Sequence, residues 1–365
     1  MTRIVLLPGD GIGPEVIEEG RACLELISDA AGLGFEFESH DFGGIAIDRH
    51  GMPLPDATLA ACKDADAVLM GAVGGPRWDD APARPEAGLL KLRAGLGLFA
   101  NLRPARVMAG MEALSPLKAE VAAGADILVV RELTGGAYFG EKSYSDDFAS
   151  DTCVYTRDEI ERVAHVAFGV ARQRRGKLTS IDKANVLATS KLWRRVVNEV
   201  AADYPDVAVD HLYVDAAAMA LVTNPRRFDV ILTENMFGDI LSDEMSVISG
   251  SIGLLGSAST GGAGPGLFEP IHGSAPDIAG CDIANPAGMI ASAAMLLDHL
   301  GHHDLARLLD AVVEEVLAEG CRTADLGGDA RCSTFGAAVR TKLETGLVKM
   351  EALRDLVAMN RGCCG

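Results

Sequence analysis

The succession of apolar runs and helical stretches along this 365-residue chain predicts an α/β fold with a largely parallel, doubly wound sheet. Three observations carry that prediction. Short apolar runs alternate with amphipathic helical stretches from the first residues onward. Charged residues recur at the carboxyl ends of those runs, where open α/β sheets place their ligands. Glycines follow several runs directly, which lets the backbone turn from strand into helix.

Composition narrows the function. At 48% hydrophobic the chain has ample material for a core. Lys and Arg total 33 against 52 Asp and Glu, a net charge of −19, so no basic surface for nucleic acid or an anionic membrane is expected. The cysteines at 23, 62, 153, 281, 321, 332, 363 and 364 form no CxxC pair, which indicates neither a zinc site nor a disulfide framework and fits a reducing cytoplasm. Met1-Thr-Arg3 leads straight into a strand, so no signal peptide is expected, and the apolar run from Asn285 to Leu297 reads as a core or interface helix rather than a membrane span.

The elements follow in order. Arg3–Leu7 reads as a strand and Pro8–Glu15 as a glycine turn, with Pro14 at the first turn of a helix running to about Gly32. The turn's GxGxG spacing is not GxGxxG, and no acid ends a second strand at the required distance, so it is not a Rossmann fingerprint. Phe35–Asp41 and Asp66–Ala72 are further strands. Glu86–Arg93 is a short helix that puts Glu86, Leu89, Leu90 and Arg93 on one face, a pattern equally open to an ordinary amphipathic helix. Asn101–Pro104 lies on a strand carrying Arg103, and Arg131-Glu132 closes the strand Asp126–Val130. Three converging arginines would clamp a dicarboxylate through paired N–H donors, whereas any single one is more often a solvated surface group.

After a glycine loop bearing Tyr138, the polar stretch Glu141–Tyr155 reads as an exposed β-arm suited to pairing with a second subunit. Arg157–Arg175 is a helix, Lys177–Ile181 a strand, and Lys183 stands at that strand's end, either solvated or tuned for proton transfer. His211–Asp215 reads as a strand ending in an acid. Asp229–Thr233 is a buried strand from which Gly238 turns the chain into a helix, placing Asp239 and Asp243 one turn apart. The two acids are either an N-cap and a first-turn acid or, joined by Asp215, an oxygen site for Mg²⁺ or Mn²⁺. Residues 248–266, rich in glycine and serine, cross back to the first sheet. Leu267–Gly280 is a long irregular loop of the kind that carries function. Asp304–Leu317, Thr334–Glu344 and Lys349–Asn360 read as separate amphipathic helices before a disordered Gly362-Cys-Cys-Gly365 end.

Four strings together resemble the isocitrate/isopropylmalate dehydrogenase family: Leu7–Glu15, Arg131–Gly140, Asn235–Asp243 and His272–Gly280, in the family's order and spanning nearly the whole chain. Within the family, Glu86–Arg93 and Phe99–Pro104 are most similar to members that oxidise 3-isopropylmalate. The resemblance implies an open α/β fold distinct from the Rossmann fold, with a first domain at 1–98 and 250–365 carrying the NAD loop. The middle domain, 99–249, would hold the dimer interface, the β-arm and the metal site. It also implies a homodimer with a shared active site.

The same resemblance implies NAD-dependent, metal-dependent oxidative decarboxylation of (2R,3S)-3-isopropylmalate to 4-methyl-2-oxopentanoate in leucine biosynthesis. Arg93, Arg103 and Arg131 would hold the malate carboxylates, and Leu89, Leu90 and Val186 the isopropyl group. Asp239 and Asp243 would bind Mg²⁺ or Mn²⁺ with Asp215, the last supplied with Lys183 by the partner subunit. Lys183 and Tyr138 would move protons. His272, Gly273, Ser274, Ala275 and Asn285 would line the adenine site, Asp277 would hold the adenosine ribose and exclude a 2′-phosphate, and Glu86 would lie near the nicotinamide ribose. The other readings are a D-malate, tartrate or homoisocitrate dehydrogenase of the same family and a noncatalytic regulatory subunit; the latter would lack a proton-transfer or metal residue, and this chain has all five.

Overall fold

The computed structural model describes residues 1–79, 83–262 and 264–362. The terminal Cys363-Cys364-Gly365, read above as a disordered end, lies outside the described residues. The chain divides into two compact units, Met1–Leu89 with Phe268–Gly365, and Leu90–Leu267.

The first unit opens with β1 (Thr2–Gly9), α1 (Gly13–Ala31), β2 (Phe35–Ser39), α2 (Gly44–His50), α3 (Asp56–Asp64), β3 (Ala67–Ala72) and α4 (Pro85–Gly95), inside which the boundary falls. β1 lies between β2 and β3 and parallel to both, with Ile4 opposite Phe37 on one side and Ala67 on the other. Its successive Ile4, Val5, Leu6 and Leu7 are all buried, the unbroken apolar run of a strand covered on both faces. α1 begins with Pro14 in its first turn and ends at Gly32, whose φ of 64° is the left-handed cap that glycine adopts without strain.

The second unit contains β4 (Ala100–Arg106), α5 (Ala119–Ala122), β5 (Asp126–Glu132), the hairpin β6 (Lys142–Tyr144) and β7 (Ala149–Asp151), and α6 (Arg157–Gln173). Next come β8 (Lys177–Asp182), α7 (Ala188–Ala201), β9 (Ala208–Tyr213), α8 (Val214–Thr223), β10 (Val230–Thr233), α9 (Asn235–Ile248) and β11 (Gly256–Thr260). The strand order is β11-β4-β5-β10-β8-β9. β10 runs parallel to β5 and β8, and β8 parallel to β9, but β4 is antiparallel to both β5 and β11, so this sheet is mixed rather than largely parallel. The link between β4 and β5 holds a 3₁₀ turn, Glu112–Leu114, and the single-turn α5, but no long crossover helix of the kind that joins parallel strands. Phe168 of α6 and Trp193, Val196 and Val197 of α7 fill the core against Val130, Leu178 and Leu232 of the strands. Each such side chain contributes roughly 1.5–3 kcal/mol by leaving water. A capping box between Thr156 and Glu159 starts α6.

The chain returns to the first unit with β12 (Gly266–Pro270), α10 (Ala287–His299), α11 (His303–Ala318) and α12 (Cys332–Gly362). The units divide at 89/90 and 267/268, against 98/99 and 249/250 in the sequence reading; the second boundary is late because β11, in the stretch read as a crossing, pairs with β4. β12 also takes the first residues of the stretch read as a wholly irregular loop. The two terminal helices expected from the sequence are one, α12. Gly346, between the two expected helices, lies inside α12, and a Cβ there would lie 2.7 Å from Leu308 Cδ1 on α11.

Candidate active site

β5 and α9 meet at a buried arginine. Arg131, 4% exposed, ends β5 one residue before Glu132, inside the strand rather than beyond it. Its guanidinium is divided between two partners on α9. Nε and Nη2 donate to Asn235 Oδ1 at 3.0 and 2.8 Å, while Nη1 pairs with Asp239. Burial pulls the Arg131 pKa down to about 10, with Asp239 opposing the fall and Arg103 and Arg93 adding to it. Both other predicted arginines lie close enough to act on its charge, so the three share one place. Arg103 Nη1 donates to Ser242 Oγ at 2.7 Å and pairs with Asp243 at 3.2 Å, lying 3.9 Å from Asp239.

Tyr138 joins the same cluster, its hydroxyl donating to Asp239 Oδ2 at 2.9 Å. Burial and this carboxylate push its pKa up to about 12, so the phenol keeps its proton through the neutral range. The local structure around the pair differs from the sequence reading. Asp239 is not an N-cap; α9 is capped by Glu234, whose carboxylate accepts from Phe237 N at 2.7 Å. Gly238 is inside the helix rather than at a turn, and a Cβ on it would come within 2.7 Å of Arg131 Cγ and 2.9 Å of Arg131 Cβ. The glycine is therefore the space into which Arg131 packs.

Asp239 and Asp243 are the carboxylates of this cluster that could hold a hard divalent cation. Both present carboxylate oxygens from one face of α9, and the surrounding protein together with the like charge of Asp239 holds Asp243 above its usual pKa despite opposition from Arg103. Among the described residues no three His, Cys, Asp or Glu side chains gather at metal-binding spacing, so Asp215 does not join the pair within one chain. It lies in the first turn of α8, not at the end of β9, and forms an ion pair with Lys183 in the turn after β8. Lys183 holds its carboxylate below the usual value. The Asp215 side chain is 62% exposed. Beneath this pair, Arg194 donates twice to buried Asp182, at 2.8 and 2.9 Å, and Tyr213 faces both cations.

In the first unit the loop after β12 is seated on the N-terminal glycine turn. Ile12 N donates to Ser274 O at 2.8 Å, and a Cβ at Gly11, whose φ is 57°, would lie 1.9 Å from that oxygen. His272 Nδ1 lies 2.9 Å from Gly273 O, and since a carbonyl can only accept, Nδ1 carries the proton. Its Nε2 is then a bare acceptor, buried and without a hydrogen-bond partner among the described residues, and burial lowers the ring's pKa. Such an orphan suits an exocyclic amine of a nucleotide base. Gly273 and Asp277 are exposed, Ala275 takes a φ of 38°, and Asn285 is buried, donating to Asp325 at 2.9 Å.

The profile of the isocitrate/isopropylmalate dehydrogenases matches residues 3–339. The chain belongs to the isocitrate/isopropylmalate dehydrogenase family. A relative named 3-isopropylmalate dehydrogenase, from Staphylococcus saprophyticus, is 59% identical over 329 residues, 90% of this chain and 95% of its own length. Another of that name, from Staphylococcus aureus, is 58% identical over 89% of this chain and 94% of its own. Among solved structures, an isocitrate dehydrogenase from Methylococcus capsulatus superposes with a TM-score of 0.85 at 36% identity, covering 94% of this chain and all of the other. A β-decarboxylating dehydrogenase from Thermococcus kodakarensis gives 0.81 at 39% identity, over 94% of this chain and 97% of its own.

In this member of the family the predicted residues fall into three groups. Arg93, Arg103, Arg131, Tyr138, Asp239 and Asp243 come together; Lys183 and Asp215 form a separate pair; His272 to Asn285 make up the loop. On α4 Leu89 is half-buried, Leu90 is exposed, and Glu86 Oε1 would lie 2.6 Å from a Cβ at Gly74. Val186 is exposed in the turn between β8 and α7. The sequence reading missed Asn235, Ser242, Asn101 and Asp325. The first two stand inside the string that carries the family resemblance, and Asn101, which accepts from Arg103 Nε at 2.8 Å, stands two residues before that arginine on the same strand face. For Asp325 no local signal exists.

Proposed function

We propose that the chain is an enzyme that oxidatively decarboxylates (2R,3S)-3-isopropylmalate to 4-methyl-2-oxopentanoate and CO₂, using NAD⁺ and Mg²⁺ or Mn²⁺, in leucine biosynthesis. The observation that carries the reading is that relatives 58–59% identical over nine-tenths of the chain bear the name 3-isopropylmalate dehydrogenase. The residues fit the chemistry.

Arg93, Arg103 and Arg131 bind the malate carboxylates, which supply negative charge beside Arg131, whose cation burial and the neighbouring arginines disfavour. Asp239 and Asp243, with Asp215 of a second chain, would hold Mg²⁺ or Mn²⁺, whose charge favours the alkoxide form of the 2-hydroxyl. The His272–Asn285 loop would hold NAD⁺, which accepts the hydride from C2. Lys183, directly or through Asp215 or a water, takes the hydroxyl proton as C2 becomes a ketone. Loss of CO₂ from C3 leaves an enol electron pair, and Tyr138, still protonated at neutral pH, gives C3 its proton. Leu89, Leu90 and Val186 receive the isopropyl group. Asp277, on the exposed side of the loop, favours ribose hydroxyls over a 2′-phosphate.

A homodimer supplies what one chain lacks. α8 and α9 pack on one another yet leave Met219, Val222, Ile240 and Val247 exposed, an apolar face on two adjacent helices. The β6–β7 hairpin carries exposed Tyr144 and Phe148. A second copy covering these surfaces would bring its Lys183 and Asp215 to the cluster. The test is NADH formation at 340 nm with purified protein, comparing 3-isopropylmalate, D-malate and isocitrate, with NADP⁺ in place of NAD⁺ and with EDTA. Fastest turnover of 3-isopropylmalate with NAD⁺, abolished by EDTA, is expected; a faster rate with D-malate or isocitrate would move the substrate assignment within the family.

A further inference from the structure

We infer that Asn235 is a positioning residue that aims the carboxylate-binding arginine and holds the proton-donating tyrosine in register with it. The inference rests on the function proposed above. Asn235 is 1% exposed, and every polar group it carries into this region is used. Oδ1 accepts from two nitrogens of Arg131, occupying one edge of the fork. Nδ2 donates to Gly135 O at 3.2 Å, and Gly135 opens the turn Gly136–Tyr138 that carries the phenol. Its backbone N–H donates to Tyr155 Oη at 2.9 Å, and that hydroxyl lies 3.3 Å from the capping carboxylate of Glu234.

The consequence is geometric. An arginine fork can turn either edge toward a ligand, and its long side chain has several rotamers of similar energy. With Nε and Nη2 held by a buried amide, Nη1 is the nitrogen directed at Asp239 and at a carboxylate placed beside it. The same amide ties down the segment that places Tyr138 over the guanidinium, the ring centroid 5.9 Å from Arg131 Cζ. One side chain therefore sets the relative position of the group that binds the substrate and the group that protonates it. Asparagine suits this place because it offers an acceptor to the arginine and a donor to the carbonyl; aspartate offers only acceptors, and leucine neither.

The side chain's contacts with Arg131 and with Gly135 can be separated experimentally in the full-length protein with NAD⁺ and Mn²⁺. In Asn235→Ala both are lost, so KM for 3-isopropylmalate is expected to rise about tenfold and kcat to fall about tenfold or more, with KM for NAD⁺ unchanged. Asn235→Asp keeps the acceptor for Arg131 but sets a carboxylate oxygen against Gly135 O. Its KM is expected to stay nearer the parent than that of the alanine variant while kcat falls. Calorimetric titration of 3-isopropylmalate without NAD⁺ should show the same order of affinities. A folded alanine variant with a lowered melting midpoint but parental KM and kcat would overturn the inference; if that variant does not fold, parental kcat in Asn235→Asp would overturn it. An inactive parent enzyme would instead count against the proposed function.

Discussion

The Arg131–Asp239 and Lys183–Asp215 pairs are each one cation and one carboxylate, held in opposite environments. The first is a closed network: Arg131 is 5% exposed at its side chain, and Asn235, Tyr138 and Asp239 occupy its partners. The second faces solvent through Asp215, at 62% exposure, although the turn beneath it is fixed by the Asp182–Arg194 fork. The difference teaches which half of the chemistry one chain can pre-organise. On the function proposed above, carboxylate binding and carbon protonation belong to the first network, inside the second unit, where low dielectric strengthens each contact. On the same proposal the acceptor of the hydroxyl proton is Lys183, in a pair that water screens until a second copy of the chain covers it.

The largest expected effect breaks that comparison directly. Lys183→Met and Tyr138→Phe should each lower kcat by about 10²–10⁴-fold. If the surface pair serves the neighbouring chain, mixing the two variants under conditions that exchange subunits restores activity well above either alone, because one site of each mixed dimer has both residues. A mixture no more active than its components would return Lys183 to its own chain's site. Next in size is Gly238→Ala, whose Cβ meets Arg131 Cγ at 2.7 Å. It should lower kcat/KM for 3-isopropylmalate by about tenfold to a hundredfold while leaving the Lys183–Asp215 pair untouched.

Smaller effects sharpen it. Leu90→Ser should reduce the preference for 3-isopropylmalate over D-malate by roughly tenfold, measured as the ratio of kcat/KM values, with turnover of D-malate retained. The smallest concerns Glu132, wholly buried and accepting from Thr134 N at 2.7 Å and Gly135 N at 2.8 Å beneath the Tyr138 turn. Burial holds its pKa above the ordinary 4.5, so the native state prefers the protonated acid; that contribution is full below 4.5 and is lost as pH rises through the folded value. The melting midpoint of Glu132→Gln, relative to the parent, should therefore move in the variant's favour with rising pH, by roughly 1–3 °C. A constant offset across the pH range would show that Glu132 is not ionising in the fold.

Much of this was legible before any coordinates. The alternating elements, the proline-initiated and glycine-terminated α1, the exposed hairpin and the two acids one turn apart all follow from local spacing, and each matches the structure to within a few residues. The errors share a cause. Gly238 reads as the turn into a helix because glycine usually does that locally, and the cap offered as one of two readings of Asp239 rests on the same habit; here Glu234 caps, and Gly238 stays helical to admit the Arg131 side chain.

By itself the sequence determined the inventory: which residues can carry charge, where helices and strands run, and, through four ordered strings, which family the chain resembles. Only the tertiary structure decided the partnerships. Arg131 and Asn235 are 104 residues apart and Tyr138 and Asp239 are 101 apart, distances over which spacing along the chain carries no information. Those bonds exist because β5 and α9 pack side by side and exclude water. A polar group deprived of water there must find whichever partner the packing has brought within reach.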